Sequence, residues 1–585
     1  MKHLFQGGRR KVAAVMAIAL VASLSQVAPS SADTKKSGGE LTVGVFNQLL
    51  GSCVNPNASN SALGIMRSVY EGLFEQQEGG KIVPYLAQSM TPSADFKSWT
   101  LKLRPGIKFH DGTPLDATAL ITNIQAQRGL YAAGAIGRLG QAGGLAAAGH
   151  TLGSGVAFFA NAKDVVPVSA DTVRIDLWNG QVDFADTVYA SGRQFTRALS
   201  DFTNPAQCNT AGKGTGPFMF QKLTAGEVVL VRNPNYWRKD KDGVQLPYLD
   251  KITFKYVNQP AQRVKGLKSG DLDAAQFSSQ GETKHMYNVK QDKNLTLVVS
   301  PPDYYAMSMF NHAIEPFNNL DARLAVSYAF DTQTFQRLRN TYKGLSYGEV
   351  PSSIVGSRNV MYNKNGFITF NLAKAKEHAA KYKAATGKDL TFSQPVDTSA
   401  EAQASAKLFA QMMKAAGIVM NISTEDTATI TAKAFPSPSS GQVNSYQFYP
   451  TTLFEGTGTA FTLPFLQSNS FAAPGNNQLK GLGALAPLFG GFGRAINPAR
   501  FADPKQDALV WGAQYETGAT RAGKLKALTK YLQETAAVLP SPSLQYGAAF
   551  SAKVKGYDTF TLASGGRGKA ITNAGPAWVG VYLEK

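Results

Sequence analysis

At Pro301-Pro302 the hydrophobic pattern of this chain changes character, from mainly short alternating runs to mainly helical spacing. Upstream, short alternating runs recur between turn residues. Glu40–Phe46, Trp99–Arg104, Thr172–Leu177, Phe218–Gln221, Glu227–Arg232, Lys251–Val257 and Leu295–Ser300 read as strands. Pro105-Gly106 and Asn233-Pro234 stop two of them. Helical spacing appears there from about Ala62, over Leu115–Gln127, and over Arg263–Lys268 up to Gly270. Downstream, Leu320–Phe330, Leu372–Lys383 and Ala400–Ala416 read as amphipathic helices, with the strands Leu390–Phe392 and Ile418–Ile422 between them, which makes an α/β unit. A late helix, Arg521–Ala537, leads to Pro540 and Pro542, and Lys553–Tyr557 begins the last short strands. At 585 residues the chain exceeds what a single core supports, so two or more domains are expected.

The first 32 residues stand apart. Lys2, Arg9, Arg10 and Lys11 form a basic start, Val12–Leu24 is almost wholly apolar, and Ser30 and Ala32 place small residues before a cut at Asp33. This is the layout of a secretory signal peptide. An apolar run of 13 residues falls short of the ~20 that span a bilayer. No cysteine lies near the cut, so the sequence predicts a free periplasmic protein, neither a lipoprotein nor stably inserted in a membrane. Arg9-Arg10 hints at a twin-arginine route.

Losing the four cations of that segment takes the formal charge from +19 to +15. The cations are scattered and no nucleic-acid module surrounds them, so a solvated surface explains them better than nucleic-acid binding. An anionic ligand stays open. Cys53 and Cys208 are the two cysteines; an oxidising compartment permits a disulfide between them, and two buried thiols are the alternative. The histidines show no ligand spacing, so neither a metal nor another cofactor is expected. Ala211–Gly216 is glycine-rich but lacks P-loop spacing. His110-Asp111 sits in a turn sequence with no neighbouring nucleophile, and no catalytic set emerges.

Several blocks together resemble the family 5 extracellular solute-binding proteins, which include the dipeptide-, oligopeptide- and nickel-binding components of ABC importers. The most specific stretch is Leu86–Met90 followed by Trp99–Pro114. Tyr70–Phe74, Thr215–Phe218 with Arg232–Trp237, Leu267–Asp273 and Leu324–Asp331 follow in the family's order. The resemblance implies an α/β, bilobal periplasmic-binding-protein-like fold (type II, cluster C-like) with two hinge crossings, near Pro302–Asn311 and Pro540–Tyr546. It implies lobe I at 33–301, including an extra subdomain, lobe II at 302–540, and a return to lobe I at 541–585. A monomer that binds a solute between its lobes and delivers it to ABC permease subunits is expected, with no chemistry on the solute. An exported hydrolase is the competing class.

The resemblance also points to the ligand. The loop Cys53–Asn60 occupies a ligand-facing position, with Asn55, Asn57, Ser59 and Asn60 as polar candidates; a hydrated surface loop is the alternative. Tyr304 and Tyr305 lie at the first crossing, with Asn311 beside them. Peptide-binding relatives place an aspartate in the second lobe against the peptide's α-amine. The matching stretch here, Tyr446–Phe461, has no aspartate, and Glu455 is its one acid. A peptide ligand therefore stays open beside a non-peptide solute such as an oligosaccharide, an opine-like compound or an aromatic acid. Arg494 and Arg500 are candidates to receive a carboxylate.

Overall fold

A computed structural model describes residues 37–49, 60–127, 131–132, 135–136, 158–302, 304–434, 444–455, 458–468, 497–572 and 575–584. Its largest sheet has seven strands, in the order Phe218–Leu223, Glu227–Arg232, Lys251–Tyr256, Glu40–Val45, Ala274–Ser278, Tyr546–Ser551 and Leu295–Val299. Glu40–Val45 runs parallel to both neighbours and the other pairs are antiparallel. Leu41, Val43 and Val45 pack with Ile252, Phe254 and the helix Asn60–Val69. The other face is kept thin. A Cβ on Gly44 would stand 2.8 Å from Leu272 Cδ1, and Ala275 and Ala549 continue that layer. The helices Pro260–Ser269 and Ser279–Lys290 cover it, the first ending at Gly270 with φ 85°.

Beside this sheet stands a four-stranded antiparallel one, ordered Ala87–Pro92, Ser98–Leu103, Thr172–Leu177 and Ala162–Ser169. Trp99, Leu101 and Leu103 are buried while Thr100 and Lys102 face solvent, the alternation of a half-covered sheet. Glu71 ties this unit to the larger sheet. Its buried carboxylate accepts from Tyr236 Oη (2.6 Å), Trp237 Nε1 (2.8 Å) and Thr215 Oγ1 (2.9 Å), three residues in two other blocks of the family pattern. Within the glycine- and alanine-rich stretch 129–155 the described parts are the paired strands Tyr131–Ala132 and Ala135–Ile136.

The second half is helical. Leu320–Ala329, Leu372–Thr386 and Ala400–Ala415 pack around the parallel strands Thr391–Val396 and Val419–Thr424, over a core of Phe310, Phe317, Phe392, Phe409 and Phe448. Asp331 caps the helix Thr332–Arg339 through the amide of Thr334 at 3.0 Å. A three-stranded sheet, Phe448–Glu455, Tyr304–Phe310 and Val538–Leu544, adjoins the seven-stranded one in the chain at two points. Leu295–Val299 leads into Tyr304–Phe310, and Val538–Leu544 leads into Tyr546–Ser551. The two segments read as extended crossings are thus paired strands. All seven residues of Tyr304–Phe310 are buried, so no alternation marks it in the sequence. Among the described residues no helix is long and apolar enough to cross a membrane.

Candidate solute-binding cleft

A cavity of about 410 Å³ lies between the seven-stranded sheet and the helical half. Small-molecule sites usually measure about 300–1,000 Å³. Three adjacent parallel strands of the sheet end at it. Phe46 and Asn47 follow Glu40–Val45, Asn258 follows Lys251–Tyr256, and Ser278, Gln280 and Glu282 follow or close Ala274–Ser278. The facing wall comes from the end of another parallel strand, with Gln394, Asp397, Ser399 and Glu401 where Thr391–Val396 meets the helix Ala400–Ala415. Phe330, Phe409 and Phe448 form an apolar side, and Ser308 and Ser541 of the crossing strands lie between. Carboxyl ends of parallel strands are where open α/β sheets bind ligands.

The charges at this cleft are anchored. Arg263 is fully buried. Its Nη2 lies 2.6 Å from Glu282 Oε1, and its Nη1 donates to the carbonyls of Val257 and Asn258, each at 2.8 Å. Glu401 Oε1 lies 3.2 Å from His285 Nε2, on the opposite wall. That hydrogen bond, helped by the charges of His285 and Arg339, holds the Glu401 carboxyl below its ordinary range against the opposing effect of burial. The same seam continues in Gly281 N–H to Asn340 Oδ1 (3.3 Å) and Thr283 Oγ1 to the Asn340 carbonyl (3.1 Å).

A second polar seam joins the four-stranded unit to the helical half. Arg521 Nη2 donates to Asp183 Oδ2 at 2.5 Å, and Thr459 Oγ1 donates to the same oxygen at 2.8 Å. Asp186, one turn along the helix Phe184–Tyr189, faces Gly458. Burial first, and then the charge of Asp183, push its carboxyl up to about 6, while Arg521 pulls it down. Beside this seam Phe158 stacks on Phe461 at 5.5 Å, and the Arg193 guanidinium lies over the Phe461 ring at 4.7 Å.

The sequence candidates fall largely outside the cleft lining. Asn311 is completely buried, its amide donating to the carbonyls of Asn444 and Tyr446, so it holds a loop and is not offered to a solute. Tyr304 packs edge-on against Tyr546 at 5.3 Å. Tyr305 Oη meets Thr462 Oγ1 at 2.6 Å and accepts from Asn359 at 3.3 Å. Both tyrosines pack the crossing strands and neither lines the cavity. Tyr305→Phe is therefore expected to cost about 1–2 kcal/mol of stability, measured by urea unfolding, with little change in any solute affinity. Arg500 sits in a turn with φ 51°, its amide bonded to the Asn497 carbonyl, away from the lining. Asn60 opens the helix Asn60–Val69, and Glu455 ends Phe448–Glu455 opposite Tyr304. Asn55, Asn57, Ser59, Cys53 and Arg494 lie outside the described residues. Cys208 is fully buried and disulfide-bonded. His110 bridges Gly214 N–H and the Gly216 carbonyl, and burial pulls it down to about 4, which makes it a neutral turn residue. Among the described residues no group of three or more His, Cys, Asp or Glu is placed to hold a metal ion.

Two α/β lobes with a cavity between them, built from strand ends of both, define a periplasmic-binding-protein-like molecule. Residues 81–470 match bacterial extracellular solute-binding proteins, family 5 Middle, and the chain belongs to that family. It is 30% identical over 277 residues to the nickel-binding periplasmic protein of Escherichia coli, covering 46% of this chain and 47% of that one. It is 26% identical over 344 residues to the glutathione-binding protein GsiB of Escherichia coli, covering 54% and 60%. The chain thus spans about half the length of the curated relatives it matches. Among solved structures, AgaA of A. tumefaciens in complex with agropinic acid superposes with a TM-score of 0.71 at 20% identity, covering 94% of this chain and 99% of that one.

Proposed function

We propose that this protein is the extracytoplasmic solute-binding component of an ABC importer, which closes two lobes over a small organic solute and presents it to a membrane permease. The observation that carries this reading is the cavity walled by strand ends from both lobes. Residues 1–32 act as the signal peptide, and the mature, unlipidated periplasmic monomer starts near Asp33. Lobe I comprises 33–301 and 541–585 and includes the four-stranded sheet as its extra subdomain. Lobe II comprises 302–540. The strands Tyr304–Phe310 and Val538–Leu544 serve as the two hinge crossings of a type II, cluster C-like architecture. A few residues at the ends of such strands suffice to absorb the rotation.

The solute is a peptide or a comparable small organic molecule. Relatives named for nickel and for glutathione, and a similar fold holding agropinic acid, support a family scaffold whose lining sets its ligand. Purified mature protein should be screened by thermal unfolding against peptides, opines, sugars and small acids. A true ligand at 100 times its Kd adds about 2.7 kcal/mol of stability. Small-angle scattering with that ligand should show a smaller radius of gyration. If no compound stabilises the protein, the transport reading loses its support.

A further inference from the structure

We propose that the cleft selects solutes carrying a protonated amine or guanidinium, held by Glu401 and Gln394 where Thr391–Val396 meets the helix Ala400–Ala415. This rests on the solute-binding reading above and names the chemistry of its ligand. Gln394 sits at an inward position between Phe392 and Val396 on a strand whose other inward residues are apolar. It is 8% exposed, lines the cavity, and its Oε1 is buried without a donor among the described residues. Glu401 lines the same cavity, and while its Oε1 meets His285, its Oε2 is likewise buried without a donor among the described residues. A buried acceptor left without a donor is costly, and a polar residue at a core position is the kind of local inconsistency that marks a functional site.

Neither group is needed to hold the helix. Ser399 caps it by accepting from the Ala402 amide at 3.2 Å, and Asp397 accepts from the Ser399 amide at 2.7 Å. Both orphan atoms are acceptors, so the partner they want is a donor. The charge agrees with this. The described lining has three acids, Glu282, Asp397 and Glu401, against one cation, Arg193. Arg263 answers Glu282, and although His285 and Arg339 stand behind Glu401, the described lining residues of the Gln394–Glu401 wall itself carry two carboxylates, Asp397 and Glu401, and no cation. A carboxylate placed there would lie beside the carboxylates of Asp397 and Glu401, a penalty that excludes as well as selects. An ammonium or guanidinium supplies several donors and the opposite charge, and Phe330, Phe409 and Phe448 cover the apolar part beside it.

The test uses matched probes on the mature protein. Trialanine, L-arginine and spermidine carry the cation; N-acetyl-trialanine, maltotriose and succinate do not. Calorimetry is expected to show binding by at least one cationic probe. If the responding probe is trialanine, its N-acetyl analogue should bind at least about 30-fold more weakly. Glu401→Gln should weaken the cationic probe by a similar factor, and Gln394→Leu by about tenfold, with the melting temperature reporting that each variant is folded. The blocked-probe comparison needs no variant. Binding confined to maltotriose or succinate overturns the selectivity while leaving the solute-binding reading in place. Silence from all three cationic probes overturns it as well, and the neutral and acidic probes then judge the wider reading separately. Equal loss of cationic and neutral binding in Glu401→Gln also overturns it, because that result assigns Glu401 to the His285 seam alone.

Discussion

Arg263→Met is expected to destabilise the protein by about 3–5 kcal/mol, the usual cost of removing one partner from a buried ion pair. Arg263 is fully buried, and its three hydrogen bonds reach Glu282, Val257 and Asn258. Glu282 Oε2 also accepts from the Ser278 amide at 3.0 Å. One guanidinium therefore connects the segments that follow the two strands flanking Glu40–Val45, and Asn258, Ser278 and Glu282 all line the cleft. The variant strands the Glu282 carboxylate and frees two carbonyls. Urea unfolding should show a lower midpoint at an unchanged slope. Arg263→Lys should recover little, because a single ammonium cannot replace a planar fork that serves a carboxylate and two carbonyls. Arg263→Met combined with Glu282→Leu should recover much of the loss, since an apolar replacement of both partners leaves no uncompensated charge. If the single and double variants unfold alike, the pair is not what stabilises this wall.

Much of the framework was readable from residue patterns. Trp99–Arg104 and Thr172–Leu177 alternate because one face of their sheet meets water, and the structure has Ser98–Leu103 and Thr172–Leu177 there. Ala400–Ala416 was recognised by its helical spacing, one residue longer than the observed Ala400–Ala415. The strand Phe448–Glu455 escaped notice, since it contains Pro450 and owes its extension to pairing with Tyr304–Phe310. Ser279–Lys290 escaped as well. Its first turn is broken at Gln280 and Gly281, and its charged residues obscure any apolar stripe.

The site was less legible than the fold. Family position drew attention to Tyr304, Tyr305 and Asn311, polar or aromatic residues near a crossing, yet their polar atoms are consumed by packing contacts. The residues that do line the cleft follow the ends of parallel strands. The strand Leu390–Phe392 and the helix from Ala400 are legible in the sequence, so the short loop between them, with Asp397, and the first turn of the helix, with Glu401, are the available signal. What no pattern supplies is which acceptors remain without donors. That depends on contacts such as His285 with Glu401, between residues 116 positions apart.

Arg521→Ala should open the molecule. On the proposed lobe boundaries Asp183 belongs to lobe I and Arg521 and Thr459 to lobe II, so their contact is expected to form as the lobes close. Removing Arg521 leaves the Asp183 carboxylate beside Asp186 with no counter-charge in a nearly buried seam, where side-chain exposures are 15% for Arg521 and 11% for Asp183. The expected cost of about 3–5 kcal/mol falls on closure and not on either lobe. Solute affinity should drop at least about 100-fold, because apparent affinity scales with the population able to bind. Scattering should show an expanded form even with solute present. Asp186 adds a pH dependence whose sign follows from its raised carboxyl. In an open form it faces water and titrates near its ordinary value, and in the closed form it titrates at about 6. Closure then takes up a proton, so it is strongest below both values and weakens as pH rises through about 6. Affinity measured from pH 5 to pH 8 should fall by about tenfold, because at pH 5 the open form has already lost most of its proton and only about one pKa unit of the shift, worth about 1.4 kcal/mol, remains to be lost. Asp186→Asn should flatten that profile and bind as tightly at pH 8 as the parent does at pH 5. A flat profile in the parent, or an Arg521→Ala protein that closes normally, would remove this seam from the closing step.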